Sequence, residues 1–143
     1  MTTSKFTYDV FLSFRGIDTR KNFTDHLYKA LKNACVETFR DDDEIERGEN
    51  IKSELQRAIK ESKMSIIVFS KDYTSSKACL EEVKTILRHH KTSEHAILPV
   101  FYHVEPAELK KQARDLPAGD KKDEWGAALK EVASIAGMHL KDQ

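Results

Sequence analysis

Four short apolar runs, each followed by a stretch with helical periodicity, set the tightest constraint on how this chain can fold. The runs lie at residues 8–14, 36–39, 64–69 and 96–102. Between the first two, Phe23, Leu27, Ala30, Leu31 and Ala34 recur at the spacing of one helix face within 20–34. Ile51, Leu55, Ala58 and Ile59 do the same before the third run, and another helix is expected over 75–90. Neighbouring parallel strands need a crossover that carries the chain back to the same end of the sheet, and a helix supplies it. The alternation therefore predicts an α/β fold, a parallel sheet flanked by helices. Pro106 suits the first turn of a further helix after Glu105. Trp125, Ala128, Leu129 and Val132 mark a last helix ending at Gly137, and 138–140 is read as a brief edge strand. Pro99 lies inside the fourth run, where its missing N–H argues for a place near the sheet edge.

At 143 residues with 39% hydrophobic content, the chain can bury a core without disulfides or metals, and one domain over 7–143 is expected after a flexible lead-in over 1–6. Lysine plus arginine balances aspartate plus glutamate at 24 each, so no net field draws nucleic acid or an anionic membrane to the surface. Any ligand must be held by a local site. Cys35 and Cys79 are the only cysteines, and the N-terminus lacks an apolar stretch of the secretory kind, so a reduced, intracellular setting is expected. The longest wholly apolar run, 66–69, is far below the ~20 residues that cross a bilayer.

In an open parallel sheet, ligands bind beyond the carboxyl ends of the strands, where the strand order reverses. That rule selects residues 14–20, 40–48 and 70–82. In the helix of the last segment, ~100° per residue places Cys79, Val83, Ile86 and Leu87 on one buried arc. Glu82 falls at its margin, and Glu81 points the opposite way, beside Arg88. Periodicity leaves two readings of Glu82: a border residue that reaches out to water, or an acid held in a cleft. Arg15 is either a phosphate-binding fork or a surface ion-pair partner. Asp41, Asp42, Asp43, Glu44 and Glu46 lack calcium-loop spacing, and His89, His90, His95 and His103 form no zinc pattern, so no metal is expected. Cys79 is read as core in preference to nucleophile. A phosphate-accepting receiver fold would need acids after the first strand and an aspartate after the third, where Arg15-Gly16 and Ser70-Lys71 stand instead.

Taken together, Tyr8-Asp9-Val10-Phe11-Leu12-Ser13-Phe14-Arg15-Gly16, Asp18-Thr19-Arg20 and Phe23-Thr24-Asp25-His26-Leu27-Tyr28 resemble the plant family of Toll/interleukin-1 receptor (TIR) domains. The resemblance continues through Thr38-Phe39-Arg40-Asp41-Asp42, Cys79-Leu80-Glu81-Glu82 and Leu98-Pro99-Val100-Phe101-Tyr102, across roughly residues 7 to 140. It implies a flavodoxin-like, three-layer fold with five parallel strands ordered 2-1-3-4-5. It also implies an NAD(P)+ glycohydrolase that acts on self-association in plant innate immunity and cell death, with Glu82 as the catalytic residue. Phe14, Arg15, Gly16, Arg20, Arg47 and Gly48, with Ser70, Ala78 and Cys79, would bind the substrate. NAD+ or NADP+ is then the substrate and no cofactor is expected. Other TIR domains are the expected partners, through Asp25 and His26. Neither membrane nor nucleic acid is indicated, and the cytoplasm, with the nucleus left open, is the expected location.

Three departures from the family pattern favour a second reading, a catalytically weak adaptor or regulatory module that works by TIR–TIR association. The tryptophan usual before the motif cysteine is replaced by Ala78. Residues 113–122 look shorter than usual, and the family's last helix, which covers the sheet and packs on a partner, is expected to be lacking. Weak or altered oligomerisation is therefore anticipated.

Overall fold

The computed structural model describes residues 6–15, 23–40 and 51–140. Strand β1 (Tyr8–Ser13), helix α1 (Phe23–Asn33), β2 (Thr38–Arg40), α2 (Ile51–Lys60) and β3 (Ser62–Phe69) follow one another, then a single 3-10 turn (Tyr73–Ser75) and α3 (Lys77–Thr92). The chain continues through β4 (Ala96–Tyr102), α4 (Pro106–Arg114), α5 (Lys122–Ala133) and β5 (Met138–Leu140). The strands form one parallel sheet in the order β2-β1-β3-β4-β5, as expected. The start of the first helix expected at Arg20, and the acidic loop beyond Arg40, lie outside the described residues.

Successive side chains of a strand point to opposite faces, and this parity sorts the core into two halves. Phe11, Ile67, Phe69 and Phe101 face α2, α3, α4 and α5 and pack with Ile59, Val83, Ile86, Leu109 and Leu129. Val10, Leu12, Phe14, Ile66, Val68 and Val100 face the other way, under Phe23, Leu27, Tyr28 and Leu31 of α1. Phe11 and Leu12 are both fully buried, so β1 is covered on both faces. Burying each such side chain contributes about 1.5–3 kcal/mol relative to leaving it exposed.

Boundaries move where local chemistry competes with the pattern. The second strand was expected over 36–39, but its regular ladder begins at Thr38. Val36 is used to end α1: its N–H donates to the Leu31 carbonyl (2.9 Å), while that of Cys35 donates to Lys32 (3.0 Å). This is the paired-bond motif that closes many helices, with Cys35 at the left-handed position, φ 62°. The last helix ends at Ala133, not at Gly137. Gly137 instead lies against β4, where an added Cβ would fall 2.1 Å from the Pro99 carbonyl oxygen. Pro99 itself precedes the β5 ladder, which runs only over Val100–Tyr102, so β4 stands one strand in from the edge.

Candidate active site

Ser13 is the last residue of β1, and its parity with Phe11 turns its hydroxyl toward α3. There its Oγ donates to Glu82 Oε1 at 2.7 Å. The Tyr73 hydroxyl, in the 3-10 turn after β3, lies 2.7 Å from the same Oγ and 3.3 Å from the Cys79 carbonyl oxygen. All three side chains are removed from water: Tyr73 is 0% exposed, Ser13 1% and Glu82 4%. The Tyr73 ring is fixed edge-on against Phe69, with centroids 4.9 Å apart. Two strand ends and the first turns of α3 thus converge on one carboxylate.

The start of α3 is set by Ser76, whose Oγ accepts from the Cys79 N–H at 3.1 Å. From that start, Cys79, Glu82, Val83 and Ile86 follow the i, i+3, i+4, i+7 pattern, and all are buried. Glu82 therefore lies within the buried arc, not at its margin, because the arc also takes in Thr85. Of the two readings left open by periodicity, the buried acid is the one observed. Glu81, on the opposite side of the helix from that arc, faces α5, where it accepts from Lys121 and, at 3.4 Å, from Trp125 Nε1. Burial pushes its carboxyl up, but those two donors and the nearby Lys84 outweigh it and hold it below the ordinary range.

The other expected substrate-binding residues divide. Phe14 sends its side chain into the α1-facing core while its carbonyl accepts from Cys79 Sγ (3.7 Å), so both residues pack against this strand end. Arg15 follows, half-buried. Ser70, buried after β3, anchors the turn that carries Tyr73 by accepting the Tyr73 N–H at 3.2 Å. Ala78 is exposed and lines a cleft of about 320 Å³ between α2 and α3, with Leu55, Gln56, Ile59, Glu82 and Thr85. Gly16, Arg20, Arg47 and Gly48 lie outside the described residues.

The expected association pair on α1 also divides. His26 is exposed, whereas the Asp25 carboxylate is bound by Lys29 (3.1 Å) and Arg40 (3.3 Å). Lys29, ahead of opposing burial and of Arg40, holds the Asp25 carboxyl below its ordinary value. The Arg40 guanidinium in turn rests 4.0 Å above the Tyr28 ring. Neither Ser13 nor Tyr73 stands out in the sequence as a site residue. The available signal for Ser13 was a hydroxyl at the same parity as Phe11, at the end of a strand whose only other polar residue besides Tyr8 is Asp9.

A family model for the TIR domain matches residues 7–143. The chain belongs to the TIR family. Its TIR domain is 50% identical to the disease resistance protein RPV1 of Vitis rotundifolia over 145 residues, 95% of this chain and 10% of that protein. It is 38% identical to the TMV resistance protein N of Nicotiana glutinosa, over 95% of this chain and 13% of that one. The chain thus spans about a tenth of the length of the curated relatives it matches. Among solved structures, the TIR domains of the activated Roq1 resistosome, which directly recognizes the pathogen effector XopQ, superpose with a TM-score of 0.82. They share 46% identity, with 93% of this chain and 87% of that one covered. The RPS4 and RRS1 TIR domain heterodimer, 18% identical with a TM-score of 0.57 over 94% of this chain and 84% of that one, shares the fold. No helix among the described residues is long and apolar enough to cross a membrane.

Proposed function

We propose that this TIR domain hydrolyses the bond between nicotinamide and ribose in NAD+ or NADP+, on association with other TIR domains, as part of plant immune and cell-death signalling in the cytoplasm. The observation that carries the reading is the burial of the Glu82 carboxylate, tied to Ser13 at the end of β1, on the wall of the cleft between α2 and α3. An acid in that position is costly unless hydrogen-bonded, and it is well placed to act on a cation that forms nearby.

One carboxylate suffices for this chemistry. O-glycosidases need a second, protonated acid because their leaving oxygen departs poorly. In NAD+ the C1′–N bond breaks with its electron pair going to the ring nitrogen, so nicotinamide leaves neutral and no proton donor is required. The ribose becomes oxocarbenium-like, and the Glu82 charge stabilises it while orienting the hydroxyls. Water then bonds to C1′ and loses a proton to solvent. Phe14, Arg15, Gly16, Arg20 and the loop through Arg47 and Gly48 would line this pocket, with Ser70, Ala78 and Cys79 on its α3 side.

The second reading, an association module with little turnover, draws on Ala78, which is exposed at the cleft with no ring to stack on a base. Loss of such a platform costs about 1–3 kcal/mol by analogy with base stacking on protein aromatics. Nicotinamide release from NAD+ by concentrated protein separates the two. Turnover by the wild type that disappears in Glu82→Ala supports the hydrolase. An inactive wild type, with turnover appearing in Ala78→Trp, favours the association module.

A further inference from the structure

From the geometry around Glu82 we infer that Ser13 and Tyr73 are positioning residues for its carboxylate, joined to it in a hydroxyl chain whose hydrogens follow the charge on Glu82. The inference rests on the hydrolase reading of Glu82 and extends it to two residues of the core. Each hydroxyl carries one hydrogen, so the directions along the chain are not independent. An ionised Glu82 only accepts, and Ser13 must therefore spend its hydrogen on Oε1, 2.7 Å away. The Ser13 oxygen is then free to accept, and Tyr73, 2.7 Å from it, is the donor.

A neutral Glu82 reverses the order. Its carboxyl donates to Ser13, Ser13 donates to Tyr73, and Tyr73 turns its hydrogen to the Cys79 carbonyl, 3.3 Å from its oxygen. Both arrangements use the same heavy-atom positions and leave no hydroxyl hydrogen without an acceptor. The carboxylate is thus kept at one place in either charge state, which is what a group acting on a short-lived cation needs. The chain is enclosed, because Ser13 and Tyr73 are essentially inaccessible to water, which cannot substitute for either hydroxyl. It also ties the carboxylate to the end of β1, two residues before Arg15.

Steady-state nicotinamide release by Ser13→Ala, Ser13→Thr, Tyr73→Phe and Glu82→Ala tests this. Ser13→Ala should lower kcat about tenfold, and Tyr73→Phe, which keeps the ring, about threefold, both with KM within about twofold of wild type. Ser13→Thr restores the hydroxyl and should recover kcat to within about threefold. A wild-type kcat in Tyr73→Phe, or a fall in thermal midpoint with kcat unchanged in the serine variants, overturns the positioning role. Should Ser13→Ala fail to fold, Tyr73→Phe decides alone. Activity of Glu82→Ala equal to wild type would instead overturn the hydrolase reading itself, which keeps the two failures apart.

Discussion

Cys35 holds φ at 62°, in the left-handed region that a residue with a Cβ enters at a cost of about 1–2 kcal/mol. It does so because the α1-ending motif requires that conformation, and the glycine usual there is missing. Cys35→Gly should therefore raise unfolding free energy by about 0.5–1 kcal/mol once the greater freedom of glycine in the unfolded chain is subtracted. Urea denaturation checks this, and a loss of stability would mean the thiol packs in a way its exposure does not suggest. His95 offers a pH test. Its Nδ1 donates to the Ser62 carbonyl (3.0 Å), which leaves Nε2 to accept from Ser65 Oγ (2.7 Å). Burial lowers its pKa below the ordinary 6.5; the Ser62 bond opposes this, and the neighbouring His89 and His90 reinforce it. The unfolded chain then binds the proton more tightly, so this contribution is complete above about pH 6.5 and is lost as pH falls below it. The urea midpoint should drop between about pH 7.5 and about pH 5.5, and His95→Gln should flatten that slope. An equal slope in the variant would assign the effect to other groups.

Helix α3 carries the candidate site, and its first turn is its most exposed weakness. Ser76→Ala removes the cap and should cost about 1 kcal/mol in thermal or urea unfolding. If the frayed turn also lets Cys79 and Glu82 drift, nicotinamide release should fall by more than the stability loss alone predicts. At the far edge of the sheet, Gly137→Ala should be worse than its location suggests. Its Cβ would meet backbone of β4, which cannot swing aside, and strain of this kind costs about 1–3 kcal/mol. Hydrogen exchange at His139 and Leu140, paired with Phe101 and Tyr102, should quicken; unchanged protection would show that β5 shifts without detaching. The elements themselves were legible because each satisfies its own period. Their ends were less so: Val36 was taken by a helix cap, and Gly137 serves a close approach that no local pattern announces.

For the whole molecule, the proposed activity depends on association, while the chain spans only about a tenth of the relatives it matches. Initial rate per mole of protein should then rise with protein concentration, and His26→Ala should flatten that rise while changing stability by less than about 0.5 kcal/mol, since the side chain is exposed. A rate per mole that is constant with concentration would argue for a site complete within one domain. Asp25 is a poorer probe, because its carboxylate already serves Lys29 and Arg40 and its removal would disturb the link between α1 and β2.

Strand–helix alternation, written in apolar spacing, was enough to determine the parallel α/β architecture, and the motif series from Tyr8 to Tyr102 was enough to point to the family. Hydrophobic periodicity is a local property that every window of the chain displays. Whether Glu82 is solvated or enclosed is not local. It depends on the parity of Ser13 in β1, 69 residues away in sequence, and on a 3-10 turn that brings the Tyr73 hydroxyl to the Ser13 Oγ. Only the packing of β1 against α3 decides that, because a buried carboxylate is tolerated where distant donors meet it and nowhere else.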